Sequence, residues 1–267
     1  MIVEQMLKNA PNPLLHIADV SGSALFQGDC LDIMPLMPDK SVQLILADLP
    51  YGTTACKWDS IIDLDLLWKQ YKRIIKDNGA IVLTASQPFT TKLISSNYEM
   101  FKYEWIWGKN LPTGFATAKY QPMKSHESIL VFGYGKLRYN PQPTETRIKD
   151  RKLGGSNGIR SKAKSGSVYG DLQTKESEII LKNIVSPRSL IEIPCVPRAT
   201  GTFHPTQKPV ELMEYLIKTY TNENDMVLDN TMGSGTTCLA AKELNRKFIG
   251  IEKEANYYEI ACRRCGF

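Results

Sequence analysis

The sequence predicts an α/β protein built on a doubly wound, mostly parallel sheet with an antiparallel pair at one edge. Three observations carry this. Short apolar runs alternate with amphipathic segments in βαβα order along most of the chain. The runs Val42–Ala47 and 80–84 are apolar almost without interruption, the pattern of strands covered on both faces. Two strand candidates end in loops of distinctive chemistry, Asp48-Leu49-Pro50-Tyr51 and Asp229-Asn230-Thr231-Met232-Gly233-Ser234-Gly235. Open α/β sheets place ligands at such strand ends.

The elements follow in order. Ala24–Gln27 reads as a short strand running into Gly28-Asp29, and 30–36 as a helix stopped by Met37-Pro38. After the strand Val42–Ala47, residues 64–75 have helical spacing, with Leu64, Leu67, Trp68, Tyr71, Ile74 and Ile75 on one side. Asn78-Gly79 is expected to end that helix. A strand at 80–84 and a helix at Phe89–Ser96 come next. Residues 103–107 and 127–132 form the expected antiparallel pair. Regular periodicity then fades over 134–203, a stretch rich in Gly, Ser, Pro and basic residues, with one short strand expected at 189–193. It resumes with a helix at 209–220, opened by a proline, which suits a first turn. A strand at 226–228, a helix at 238–244, a strand at 248–251 ending on Glu252, and a helix at 255–264 complete the chain.

A chain of 267 residues, 42% hydrophobic and 23% charged, can bury one large α/β core carrying an insert. No apolar run reaches the length of a membrane span. The first twenty residues include Glu4, Lys8, Pro11, Pro13 and Asp19, so no signal peptide is expected. The six scattered cysteines suit a reducing cytoplasm. Cys262 and Cys265 form a lone CxxC without a second pair or a nearby histidine, so helix-borne thiols are expected and no metal site. The net charge is +5, yet residues 134–203 hold thirteen Lys/Arg against six Asp/Glu, a local +7 that leaves −2 for the rest. A segment facing a polyanion has this charge. On charge alone, a solvated insert accounts for it equally well.

The stretch from Met226 to Glu252 is strand, glycine turn, helix, strand, acid. Gly233 and Gly235 permit a tight turn and close backbone approach to a ligand. The following helix offers free N–H groups, and Glu252 can accept hydrogen bonds from two ribose hydroxyls. The pattern lacks the third glycine of a dinucleotide fingerprint and the Gly-Lys-Ser/Thr of a P-loop. A GxG turn alone is ordinary in α/β proteins; Asp229 before it and Glu252 after it point to a nucleoside-type cofactor. His204-Pro205-Thr206-Gln207-Lys208-Pro209 leads into the preceding helix, where Lys208 could pair with a carboxylate or stand solvated beside a helix start.

The other loop suits amine chemistry. An exocyclic amine on a base is a poor nucleophile because its lone pair is delocalised into the ring. A carboxylate accepting one N–H and a backbone carbonyl accepting the other draw the nitrogen toward tetrahedral geometry and free the lone pair. Asp48 can supply the carboxylate, Leu49 or Pro50 the carbonyl, and Tyr51 a stacking surface for a base taken out of the duplex. A plain Asp-Pro turn with a packing tyrosine fits the same four letters.

In this order, with the 134–203 insert between them, the 48–51 loop, the 204–209 segment and the 229–237 loop resemble the β class of DNA amino-methyltransferases over about residues 25–263. The resemblance implies a circularly permuted, class I methyltransferase-like fold with a seven-stranded sheet. Residues 20–133 and 204–267 would form the catalytic domain and 134–203 a target-recognition region. S-adenosylmethionine would be the cofactor, with Gly233, Ser234, Gly235 and Thr236 around its methionine part, Glu252 on its ribose and Asp29 near its adenine. Lys208, with Thr206 and Gln207 beside it, would face its carboxylate, and Asp229 would open the binding loop. Asp48, Leu49, Pro50 and Tyr51 would be catalytic. Trp105, Trp107, Lys109, His126 and Glu127 match a region that lines or supports the base pocket, and Gly79 matches a glycine that begins a strand.

Two departures stand out. The usual Asp-Pro-Pro-Tyr has Leu49 at its second position, and the usual Asp-Pro-Phe has Asn230-Thr231, so that an aromatic wall beside the cofactor is either missing or supplied from elsewhere. An Asp at the first catalytic position correlates in this family with adenine N6; a Ser there goes with cytosine N4. The expected activity is therefore site-specific adenine-N6 methylation of double-stranded DNA, a restriction-modification function. Cytosine-N4 methylation and a non-catalytic DNA-binding relative are the alternatives. The resemblance leaves a homodimer and a cognate restriction endonuclease open as partners.

Overall fold

The computed structural model describes residues 2–10, 15–18, 22–52, 59–142, 144–145, 184–196 and 207–267. The expectations for His204 and Thr206, and for much of the 134–203 segment, lie outside the described residues.

Helix α1 (Ile2–Asn9) and strand β1 (Leu15–Ala18) precede β2 (Ala24–Gln27), α2 (Cys30–Ile33) and β3 (Val42–Ala47). Then come α3 (Leu64–Ile74), β4 (Ile75–Ala85), α4 (Phe89–Ser96), β5 (Phe101–Thr113) and β6 (Lys124–Phe132). Two short strands, β7 (Thr144–Glu145) and β8 (Ile184–Val185), pair only with each other. The chain closes with β9 (Leu190–Glu192), α5 (Val210–Tyr220), β10 (Met226–Asp229), α6 (Thr236–Glu243), β11 (Lys247–Glu252) and α7 (Ala255–Cys265).

The main sheet has nine strands in the order β1-β2-β11-β10-β3-β4-β6-β5-β9. The resemblance implies seven strands; β1 and β9, one at each end, bring the sheet to nine among the described residues. β2, β11, β10, β3 and β4 pair in parallel, while β6 is antiparallel to both β4 and β5. The expected antiparallel pair is present but does not form the edge, because β9 adds in parallel outside β5. β1 adds antiparallel to β2 at the other end.

Alternation along the central strands produces two cores. On β3 and β4, Ile45, Ala47, Ile81 and Leu83 face one core, which α1 to α4 cover with Met6, Ile33, Leu67 and Leu93. Leu44, Leu46, Ala80 and Val82 face the other, covered by Leu216 of α5, Ala240 of α6 and Ala261 of α7. This is why Val42–Ala47 is apolar at every position but Gln43: both faces are buried. Each fully buried Leu or Ile contributes about 1.5–3 kcal/mol of transfer free energy.

Two boundaries differ from expectation. The helix at 30–36 is α-helical only to Ile33; Asp29 caps it, its Oδ1 accepting the Leu31 N–H at 3.0 Å, and Met34–Leu36 tighten into a 3₁₀ turn. Asn78-Gly79 does not end α3, which stops at Ile74, but lies inside β4. The β3–β4 register shifts between Val42 and Leu44, and a Cβ on Gly79 would stand 2.8 Å from the Gln43 carbonyl oxygen. The glycine permits close strand approach here, not a helix cap.

The compact units divide at 140 and 188: residues 1–140 and 188–267 form one, and 141–187 the other. The flanks of the basic segment belong to the larger unit. The Arg138 guanidinium pairs with Asp225, the Asn140 N–H donates to the Thr219 carbonyl at 2.7 Å, and Ile191 is buried.

Gly250 links this packing to the loop after β10. A Cβ there would collide with Met232 Sδ and lie 2.7 Å from Cys238 Sγ and 2.8 Å from Leu25 Cδ2. Gly250→Ala should destabilise the fold by about 1–3 kcal/mol, the usual cost of overpacking. A urea midpoint unchanged from that of the parent would refute this.

Candidate active site

β3 and β10 are neighbours, with Leu44 opposite Val227 and Ile45 opposite Leu228. Their following loops therefore leave the sheet side by side, and the Thr231 hydroxyl donates to the Asp48 carbonyl at 3.2 Å. A cleft of about 1180 Å³ opens over both, lined by Asp29, Asp48, Tyr51, Trp107, Gly233 and Glu252 among others. It has the size of a site for a small molecule together with part of a larger substrate.

On the β10 side the turn is glycine-dependent: Gly233 (φ 52°) and Gly235 (φ 77°) are left-handed. The Gly233 N–H donates to Glu252 Oε2 at 2.8 Å, and the Glu254 N–H to Oε1 at 2.8 Å. Glu252 thus holds the turn while lining the cleft, and burial raises its pKa against the pull of these backbone donors. Ser234 and Thr236 are buried and hold α7: Arg264 donates to the Ser234 carbonyl at 2.6 Å, to Ser234 Oγ at 2.9 Å and to Thr236 Oγ1 at 3.1 Å. Asp29 receives the Lys253 ammonium at 3.1 Å at the cleft margin.

Asp229 is buried; its Oδ1 accepts the Thr231 N–H at 3.1 Å, and burial pushes its pKa up to about 7. Asn230 turns into the core: it accepts from the Tyr71 hydroxyl at 2.5 Å and donates toward Cys30 Sγ at 3.5 Å. These bonds pin the loop to α3 and α2.

On the β3 side, Asp48 is held at both oxygens. The Thr84 hydroxyl donates to Oδ1, which also lies 2.8 Å from the Tyr51 hydroxyl; Oδ2 receives the Lys208 ammonium at 2.6 Å. Burial opposes a charge on Lys208, but Asp48, Tyr51 and Glu127 together hold its pKa well above the usual value. Glu127 Oε1 pairs with Lys109 at 2.9 Å; among the described residues its Oε2 accepts no hydrogen bond and meets Lys208 as an ion pair at 3.4 Å. Tyr51 stacks on Phe89, with ring centroids 5.4 Å apart. Leu49 is nearly buried, and it and Pro50 both line the cleft.

The structure brings together Asp29, Asp48, Leu49, Pro50, Tyr51, Gln207, Lys208, Asp229, Gly233, Ser234, Thr236 and Glu252 as lining residues, and Gly235 caps α6 behind them. Lys208 stands at Asp48 here, where the resemblance places it on a cofactor carboxylate. Trp107, Lys109 and Glu127 line the cleft. Trp105 instead packs inside, its Nε1–H donating to the Tyr220 hydroxyl at 2.7 Å, and His126 is exposed on β6 opposite Gly108. Sequence reasoning missed Thr84, Thr231 and Arg264. Thr84 carried a signal, being a hydroxyl at the end of an apolar strand; the other two did not.

A carboxyl whose pKa is raised by folding contributes stability that is present below its unfolded value and is lost as pH rises through the folded one. For Asp229 the window runs from 3.8 to about 7. Relative to Asp229→Asn, the parent protein should therefore lose stability across this window. Urea midpoints measured at several pH values check it, and parallel profiles for the two proteins would refute it.

The cleft's polar lining suits a nucleoside-type cofactor: a carboxylate at a strand end, a left-handed glycine turn, and a second acid at Asp29. A family model described as DNA methylase, N6_N4_Mtase, matches residues 42–263. The chain is 28% identical over 259 residues to the Type II methyltransferase M1.MboII of Moraxella bovis, covering 89% of this chain and 94% of that protein. It is 28% identical over 258 residues to the DNA adenine methyltransferase YhdJ of Escherichia coli (strain K12), covering 90% and 81%. Among solved structures, that of M1.HpyAVI in complex with S-adenosylmethionine superposes with a TM-score of 0.60 at 25% identity, covering 91% of this chain and 98% of that one. The chain belongs to this DNA methylase family, as a β-class DNA amino-methyltransferase that takes its methyl group from S-adenosylmethionine.

Proposed function

We propose that the protein methylates N6 of adenine at a specific short sequence in double-stranded DNA. The observation that carries this reading is Asp48, a carboxylate oriented by Thr84 and Tyr51 in the cleft that also holds the glycine turn. Adenine is favoured by the family correlation with Asp at this position and by the likeness to a DNA adenine methyltransferase.

S-adenosylmethionine supplies an electrophilic methyl group on a sulfonium. The chain's own residues do the remaining work. Gly233, Ser234, Thr236 and Glu252 would hold the cofactor on the β10 side of the cleft, with Gln207, Asp29 and Asp229 around them. Asp48 accepts one N–H of the target amine, and the carbonyl of Leu49 or Pro50 accepts the other, localising the lone pair on nitrogen. Bonding of the nitrogen to the methyl carbon would break the carbon–sulfur bond, the thioether leaving with its electron pair, and the nitrogen would lose one proton, for which Asp48 is the placed acceptor. Tyr51 offers a ring to the base, stiffened by Phe89 behind it. For Asp48 to receive the amine, Lys208 must share or release Oδ2, and Glu127 stands ready as its other counter-ion. The basic 134–203 segment is assigned to reading the DNA sequence. The Type II relative supports pairing with a restriction endonuclease of the same specificity.

Asp48→Ala should abolish methyl transfer and leave cofactor binding intact; full turnover would overturn the mechanism. Thr84→Val, which loses the hydroxyl that orients Asp48, should lower kcat about tenfold, and Thr84→Ser should retain most of it. Mass analysis of nucleosides from DNA of expressing cells should show N6-methyladenine; N4-methylcytosine would refute the choice of base.

A further inference from the structure

The end of β5 and the turn that leads to β6 carry large bare side chains beside the cleft. Phe115 is 84% exposed, Tyr120 88% and Leu111 54%. Phe115 and Leu111 also line the mouth of the cleft that contains Asp48. A soluble surface seldom leaves several large apolar groups bare on one turn unless something covers them in use.

The turn is well braced. Gly114 (φ 91°) opens a 3₁₀ turn at Phe115–Thr117. Thr117 N–H and Oγ1 each bond to the Gly114 carbonyl at 3.1 Å, the Tyr120 N–H to the Thr117 carbonyl at 2.9 Å, and the Gln121 amide to Thr117 Oγ1 at 3.0 Å. Lys124 anchors the hairpin to Ser86 Oγ and the Gln87 carbonyl, each at 3.1 Å. The aromatic groups are thus presented on a hairpin whose ordering is already achieved. Charge favours one partner: the exposed charged residues of the hairpin tip, Lys119 and Lys124, are both basic, while Lys109 is buried against Glu127.

We propose that this hairpin tip contacts the DNA duplex, with Phe115 as the wedge that fills the space vacated by the target base. A base leaving the stack costs unpairing and unstacking, and an apolar ring inserted at the gap restores part of the lost stacking. Phe115 meets both requirements: it is bare, and it stands at the mouth of the cleft the base must enter. This rests on DNA amino-methyl transfer and holds whether the base is adenine or cytosine.

The test uses a duplex oligonucleotide carrying the methylated motif, mapped from DNA of expressing cells. A second duplex has an abasic position opposite the target, so that the base is already unpaired. Wild-type turnover on both shows that methyl transfer itself is sound, separately from the wedge. Phe115→Ala should lower kcat/KM about tenfold or more on the paired duplex, the scale of losing one base–aromatic stack, and much less on the abasic one. Phe115→Trp should retain activity on both, and S-adenosylmethionine affinity should not change in either variant. No loss on the paired duplex, or equal loss on the two duplexes, overturns the proposal.

Discussion

The parallel pairing of β3 with β10 brings Leu44 opposite Val227, although the two residues lie far apart in the chain. The strands that follow each in sequence lie on opposite sides of this pair: β4 beyond β3, and β11 beyond β10. At such a switch point the two loops diverge above the sheet and leave a crevice between them. One loop carries Asp48 and Tyr51, the other Gly233 and Gly235, and the Thr231–Asp48 hydrogen bond ties them together. The site is thus joined by main chain and by a short side chain. A shift of either loop would be felt at the other, which suits a reaction between two bound groups that must meet in line.

The cleft holds its buried charges in alternation. Lys109, Glu127, Lys208 and Asp48 follow one another across β5, β6, the entry to α5 and the end of β3. A buried charge deprived of its partner is costly, so removing one member would disturb the rest. Lys208 lies between two carboxylates and keeps a counter-ion even when a substrate competes for Asp48. Asp229 is handled differently. Among the described residues no cation pairs with it, and burial instead draws its pKa up to about 7, close to neutrality.

Much of this was legible beforehand because local pattern and tertiary role agree. β3 is buried on both faces, so its residues are apolar at every position but Gln43. Gly233 and Gly235 are glycines because the turn is left-handed, and Glu252 ends a strand as expected. Asn78-Gly79 was misleading because the pair suits a helix end as well as a strand irregularity; only the approach of Gln43 separates the two. β1 and β9 are strands of four and three residues, stabilised by pairing with β2 and β5. Thr231 looked like the loss of an aromatic wall. Its hydrogen bond to Asp48 became visible only once the two loops were adjacent.

The sequence alone determined the α/β class, the succession of the central strands, the two reactive loops and the family to which they point. These rest on periodicity and on short motifs, which are local properties of the chain. The tertiary structure decided which groups face one another. Lys208 and Asp48 are separated by 160 residues, Thr231 and Asp48 by 183, and Thr84 and Asp48 by 36. Each contact depends on strand order and register, and these follow from how two whole hydrophobic faces are buried together rather than from the residues next to either partner.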